Sequence, residues 1–240
     1  MVCGEITEKT ICTKCNDKGY YPYYIEGSPD IYGIRKCNCS SRLEAEAKLK
    51  RSGLSVLIEN CTFERFICGE DWQRNIKTKA LQFSRDFDSK WFYIGGASGS
   101  GKTHICTAIA GKVLKQNVEL KYMLWRENVS KIIFGRMDYE KRQEIVEHLK
   151  RVPVLYIDDL YKHRSGEPPT NPEFDLCFDI LNHRYINKLT TIISSEFTRD
   201  ELYAIDEALC TRMDAMTGEI YSISINKSPD RNYRLTGVTT

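Results

Sequence analysis

The sequence predicts an α/β fold with a parallel sheet, preceded by a small metal-stabilised module. Three observations carry that prediction. A glycine-rich loop, Gly96-Ala97-Ser98-Gly99-Ser100-Gly101-Lys102-Thr103, joins the apolar run Trp91-Phe92-Tyr93-Ile94 to a helix-periodic run through Ile105, Ala108, Ile109 and Val113. A second apolar run, Val152 to Ile157, ends directly in Asp158-Asp159, as a buried strand does when it delivers carboxylates to the edge of a sheet. Five of the ten cysteines fall in the first 40 residues, and four of these form a C-x-x-C and a C-x-C pair.

Composition bounds the rest. With 240 residues, 41% hydrophobic and 28% charged, the chain can bury one sizeable core and carry a small appendage. A net charge of +2 excludes a global field for nucleic acid, so any such surface is local. The first residues, Met1 to Glu5, form no apolar signal core, and no run is long enough to span a bilayer. The expectation is a cytoplasmic protein with reduced thiols.

Taken in order, residues 1–40 are expected to form a zinc-binding module. Cys12, Cys15, Cys37 and Cys39 can close a tetrahedral thiolate site. Between them Tyr20 to Tyr24 and the turn-like Gly27-Ser28-Pro29-Asp30 read as a hairpin. Forty residues build little core, so bound metal would supply the folding energy; the alternative is four thiols without metal. Cys3 has no assigned partner. Residues 41–70 read as a linker helix, Ser40 to Arg51 ended by Gly53, and a lead-in containing Phe63 and Phe66. Residues 71–240 are the expected ATPase domain. Asp71 to Phe87 is amphipathic, Val118 to Met123 is a second strand, and a helical region follows to Leu149. Val152 to Asp159 is the third strand, and Phe174, Cys177, Phe178, Leu181 and Tyr185 form the apolar stripe of a helix. Thr190 to Glu196 is the fourth strand, Thr198-Arg199-Asp200-Glu201 a capping box, and Glu219 to Ile225 the fifth strand.

The loop from Gly96 to Thr103 reads G-x-x-x-x-G-K-T, the phosphate-binding loop of nucleotide hydrolases. Glycines let backbone N–H groups converge on phosphate oxygens, and the helix N-terminus adds partial positive charge. Gly96, Ala97, Ser98, Gly99, Ser100, Gly101, Lys102, Thr103 and His104 are thus expected to contact ATP, with Lys102 on the β and γ phosphates. Thr103 and Asp158 would hold Mg2+, and Asp159 would orient or deprotonate the attacking water.

These pieces, with Leu181-Asn182-His183-Arg184-Tyr185, Thr191 to Glu196, Thr211-Arg212-Met213 and Asn232-Tyr233-Arg234, give the chain a resemblance to a known family. From Cys12 to Arg234 it resembles the DnaC/DnaI-type helicase loaders, AAA+ ATPases close to DnaA, in the zinc-bearing form of phages and Gram-positive bacteria. The resemblance implies five parallel strands ordered 5-1-4-3-2, flanked by helices. It implies an ATP-dependent loader of a replicative hexameric (DnaB-type) helicase onto single-stranded DNA at replication initiation. ATP, Mg2+ and Zn2+ would be its cofactors, and slow hydrolysis would be stimulated by DNA or by ATP-dependent self-association.

Arg212 looks like the arginine finger acting on a neighbouring subunit's ATP, while the role of Arg184 stays open. Relatives usually carry Thr-Ser-Asn at the end of strand 4, where this chain has Ser194-Ser195-Glu196. Either Ser195 is the sensor or phosphate sensing is weakened, since an ionised Glu196 donates no hydrogen bond. An added helical element between strands 2 and 3 marks the family. Residues 121–151 here hold eight Lys or Arg against five acids, so Arg136, Lys141 and Arg142 are the candidate DNA contacts, with Trp125 and Tyr139 as stacking faces. The other readings are an IstB-like transposition helper ATPase, a zinc-bearing nucleotide kinase, and a DNA-binding module that uses ATP only as a folding ligand.

Overall fold

The computed structural model describes residues 12–16, 18–25, 28–163 and 167–233. Cys3 and Arg234 lie outside the described residues. The chain divides into two compact units, residues 1–48 and 49–240.

The described part of the first unit is built on an antiparallel hairpin, β1 (Tyr20–Ile25) and β2 (Ser28–Lys36). Ser28, expected in the turn, already pairs with Ile25, and Pro29 and Asp30 lie within β2 at the irregularity between that pair and Tyr24–Tyr32. Two cysteine-bearing turns flank the hairpin. Asn16 at φ 49° closes the first, its N–H donating to Cys12 O at 2.7 Å. The second donates from Cys37 N to Gly19 O at 2.8 Å and leads into α1 (Ser40–Ser52), which Gly53 ends at φ +85°.

The second unit is a five-stranded parallel sheet between helical layers. Its strands are β3 (Trp91–Gly96), β4 (Leu120–Leu124), β5 (Val154–Leu160), β6 (Thr190–Ser195) and β7 (Ser222–Ile225). The spatial order is β4-β5-β6-β3-β7. Counting core strands alone from one end, this reads 5-1-4-3-2; the labels differ from that expectation because the hairpin takes the first two numbers. The apolar runs are explained by burial on both faces, and every residue of β3 and β6 is buried. Alternation sorts side chains between two cores. Phe92, Ile94, Tyr156 and Ile192 join one, while Trp91, Tyr93, Leu155, Ile157 and Ile193 join the other.

Helix α2 (Ser55–Asn60) was not expected; with Leu54, Phe63 and Phe66 the lead-in belongs to the first core. Helix α3 (Asp71–Phe83) is capped at Ser84, four residues short of the expected end. Helix α4 (Lys102–Lys115) follows the phosphate loop. The helical region after β4 is two helices, α5 (Trp125–Phe134) and α6 (Tyr139–Arg151). The break falls at Gly135, and the Asp138 side chain caps α6 by accepting from Lys141 N at 2.8 Å. Helices α7 (Asn171–Ile186) and α8 (Arg199–Ile205) both open with capping boxes, Thr170/Glu173 and Thr198/Glu201. Helix α9 (Glu207–Thr217) carries Arg212. Among the described residues no helix is long and apolar enough to cross a membrane.

Arg184, on α7, is fully buried. Its guanidinium donates to Thr191 Oγ1 and to the carbonyls of Leu149, Lys150, Val152, Pro153 and Thr190. It therefore ties the end of α6 to the starts of β5 and β6, which is an architectural role.

Candidate nucleotide site and thiolate centre

The site forms where β3, β5 and β6 end together. Gly96 leaves β3 at φ +112°, and a Cβ there would stand 1.9 Å from Ile225 O. Gly101 enters α4 at φ +84° under the Phe66 ring. Only glycine fits both positions, which is why the loop can turn so tightly toward a ligand. Lys102 is buried; its Nζ donates to Gly96 O at 3.0 Å and Ala97 O at 2.7 Å. Burial lowers its pKa, and the carboxylates of Glu196 and Asp159 partly offset that. Ser100 Oγ also donates to Ala97 O, so loop shape is held by its own polar groups. His104, expected at the nucleotide, bonds Thr62 O at 2.8 Å and meets the Phe66 ring edge-on, tying the lead-in to the loop.

Asp158 lies near the end of β5, with its carboxylate buried among hydroxyls. Thr103 Oγ1 donates to Oδ1 at 3.0 Å, Tyr156 OH to Oδ1 at 3.0 Å and Tyr122 OH to Oδ2 at 3.1 Å; Ser194 Oγ also donates to Oδ1. Burial raises the Asp158 pKa, and the Ser194, Tyr156 and Thr103 hydrogen bonds pull it back. A threonine hydroxyl beside a carboxylate is a hard-oxygen pair of the kind magnesium takes, so these two residues fit that ion.

The strand then breaks its register between Ile157 and Leu160. Asp159 and Tyr161 adopt φ +57° and +60°, a conformation costing non-glycine residues about 1 kcal/mol or more each. Asp159 N donates to Ser194 Oγ and Ser195 Oγ to Leu160 O, which hold the bulge. The bulge directs Asp159 and Lys162 into the same cavity as Lys102, Thr103, Ser98 and Glu196. Lys162 Nζ bridges Asp159 Oδ2 and Glu196 Oε1 at 3.0 Å each.

Several expectations change with this geometry. Ser195, read as a sensor, is fully buried with its hydroxyl on Leu160 O, while Ser194 is the serine that reaches Asp158. Trp125, offered as a stacking face, is fully buried against Tyr161. Arg142 donates to Ile133 O at 3.2 Å and so closes the end of α5. Arg136, Lys141 and Tyr139 are exposed. Arg212 is held by Asn182 Oδ1 at 2.8 Å and Ala208 O at 2.7 Å, its guanidinium over the Phe178 ring.

Tyr122, Tyr156, Ser194 and Lys162 were not anticipated as site residues. Tyr156 had a signal, lying two positions before Asp158 on one face of a strand. Tyr122 stands opposite Tyr156 only through the β4–β5 register, and Lys162 reaches the cavity only through the bulge.

In the first unit, the Sγ atoms of Cys12, Cys15, Cys37 and Cys39 lie within 4.8 Å of one another. Cys12 and Cys37 are 3.7 Å apart, Cys15 and Cys39 3.2 Å. Tetrahedral zinc with Zn–S near 2.3 Å requires sulfur separations of about 3.8 Å. The donor set and spacing fit zinc.

Among sequence relatives, YqaM of Bacillus subtilis (strain 168), an uncharacterized protein, is 29% identical over 86% of this chain and 68% of its own length. The phage-like element PBSX protein XkdC of the same organism is 27% identical over 95% of this chain and 87% of its own. Two solved structures share the fold. DnaI matches with a TM-score of 0.57 and 22% identity, covering 72% of this chain and 92% of that one. The DnaC helicase loader matches with a TM-score of 0.59 and 17% identity, covering 71% and 98%. The bacterial DnaA ATPase-domain pattern matches residues 57–218, which contain the phosphate loop, the Asp158 carboxylate and the bulge. By that match over most of its length, the chain belongs to the bacterial DnaA ATPase-domain family.

Proposed function

We propose that the chain is an ATP-dependent loader of a hexameric replicative DNA helicase onto single-stranded DNA. One observation carries this reading: a chain of the DnaA ATPase-domain family, with Lys102, Thr103, Asp159 and Glu196 lining one cavity, also carries a unit in which four thiols converge. In the pocket, Lys102 exchanges its two carbonyl partners for β and γ phosphate oxygens. Thr103 and Asp158 would hold magnesium, which neutralises phosphate charge. Asp159 orients the attacking water, and Arg212, preset by Asn182, serves a neighbouring subunit. The four-thiol unit, held by zinc, docks the helicase; a metal-stabilised appendage is a poor catalyst but a good recognition surface. The likeness to a structure described as a helicase loader supports the reading.

The test is helicase capture and loading measured with ATP, ADP and no nucleotide. Full-length protein is expected to capture the helicase with ATP and release it on turnover. Removing residues 1–40 should spare ATP binding and abolish capture. ATP binding without capture of the host helicase by the full chain would reject the loader assignment while leaving the nucleotide site intact.

A further inference from the structure

Glu196 poses a problem for a triphosphate site. It lines the same cavity as Lys102 and Asp159, so two carboxylates face the place where the γ phosphate would lie. A polyanion beside two acids is repelled unless cations offset them. The cavity supplies two, Lys102 and Lys162. Lys162 is the one joined to both acids, at 3.0 Å to Asp159 Oδ2 and 3.0 Å to Glu196 Oε1. An ammonium has three donors; two are engaged by these carboxylates, and the third has no partner among the described residues.

The backbone is built to bring that ammonium there. Lys162 N donates to Asp159 O at 3.1 Å, closing a tight turn through the left-handed residues Asp159 and Tyr161. The turn is fixed from β6, by Ser194 accepting from Asp159 N and Ser195 donating to Leu160 O. Strain held in place by surrounding bonds beside a ligand cavity marks a position shaped for function. A lysine there also compensates for what Glu196 lacks. Glutamate cannot donate to a phosphate oxygen, whereas Lys162, drawn against Glu196, presents an N–H from the same corner.

We propose that Lys162, paired with Glu196, is the residue by which this site distinguishes ATP from ADP, and that it positions Asp159 at the same time. This deepens the reading of the cavity as an ATP site and rests on it. A γ phosphate would take the third donor of Lys162, and the Asp159 carboxylate would stay fixed beside the attacking water. ADP leaves that donor without a phosphate and gains nothing from the pair.

The experiment measures ATP and ADP affinities by calorimetry for the wild type, Lys162→Met, Lys162→Arg, and Lys162→Met combined with Glu196→Gln. The wild type should prefer ATP. Losing one charge-assisted phosphate contact should lower the ATP-to-ADP affinity ratio about tenfold in Lys162→Met, with ADP affinity little changed. Lys162→Arg should keep most of the preference, and Glu196→Gln should return part of the ATP affinity to Lys162→Met by removing the uncompensated acid. An unchanged ratio in a folded Lys162→Met protein, or equal losses for both nucleotides, overturns the proposal and leaves the ATP site standing. A wild type that binds neither nucleotide overturns the ATP site itself, and this proposal with it.

Discussion

The two units reach a defined structure by different means. In residues 49–240 the sheet is covered on both faces by apolar clusters that include fully buried Trp91, Phe92, Ile109, Trp125 and Tyr156. Among the described residues of 12–48, the buried hydrophobic side chains are Cys15 and Cys37 alone, while Tyr20, Tyr24, Tyr32 and Ile34 are exposed. Cation–π contacts, Lys14 over Tyr21 and Arg35 over Tyr23, add about 0.5–1 kcal/mol each at such surfaces. Hydrophobic burial accounts for the larger unit, and the side chains described in the smaller unit supply little of it. Four converging thiols can stabilise the smaller unit instead, because binding of a structural zinc is itself folding free energy of about 10 kcal/mol.

Metal removal is therefore the strongest way to break the comparison. One zinc per chain is expected by elemental analysis of untagged protein. Chelation, or Cys12→Ser, should erase hydrogen-exchange protection in the hairpin and leave protection in the β3–β6 strands unchanged. Hairpin amides that stay protected in verified metal-free protein would show that the small unit folds without its thiolate site.

The reverse perturbation belongs to Arg184. Replacing it with Met keeps volume and apolar stem but orphans the carbonyls of Leu149, Val152 and Thr190, each buried by the packing around them. At about 1–3 kcal/mol per unsatisfied buried group, partly relieved by rearrangement, the expected loss is about 3 kcal/mol. Denaturant unfolding should show it in the larger unit, with zinc content unaltered. A loss below about 1 kcal/mol would mean that other groups cap these strand starts.

Nucleotide sharpens the same contrast. ATP at a hundredfold excess over its Kd should stabilise the larger unit by about 2.7 kcal/mol and the hairpin not at all. Lys102→Ala should abolish tight binding and with it that shift. Asp159→Asn should keep binding and the shift, while turnover falls about a hundredfold or more. Unchanged affinity in Lys102→Ala would remove this loop from nucleotide binding.

The two units also differ in how legible they were. Fold class, the phosphate loop, Asp158, the cysteine quartet and the capping box at Thr198 each depend on local spacing, which sequence displays. The misses depend on what strands do to one another. Ser194 and Ser195 are adjacent polar residues at a strand end, and only the β5–β6 pairing decides that one meets Asp158 and the other the bulge. The bulge carries no glycine to announce it; Asp159 and Tyr161 take left-handed angles because surrounding bonds hold them there. Trp125 reads as a surface aromatic in a charged stretch, yet it opens α5 against the sheet and is wholly buried. The sequence left the role of Arg184 open, because that role lies in carbonyls contributed by segments 31 to 35 residues earlier.

The smallest expected effect concerns where single-stranded DNA lies, along the α5–α6 insertion or on the exposed tyrosines of the hairpin. Of the basic residues in the insertion, Lys150 and Arg151 pair with Glu147, Lys150 also with Asp179, and Arg142 closes α5. Those are poor candidates for phosphate. Arg136 and Lys141 stay exposed beside Tyr139, a possible stacking face, and Arg126 and Lys131 line a cavity that also contains Asp159 and Lys162. DNA phosphates on α5 would therefore lie next to Asp159, which, if Asp159 orients the attacking water as proposed, gives DNA a route to altering turnover. If Arg136 and Lys141 each neutralise one phosphate, changing both to Ala should lessen the slope of log affinity against log salt by about 1.4, at about 0.7 per single-strand contact. ATP affinity should not move, because neither residue lines the cavity proposed for nucleotide. Fluorescence anisotropy over a salt series reads the slope directly. Equal slopes for variant and wild type, combined with a weaker affinity in Tyr24→Ala or Tyr32→Ala, would transfer the DNA path to the four-cysteine unit, since stacking contributes affinity without changing the count of neutralised phosphates.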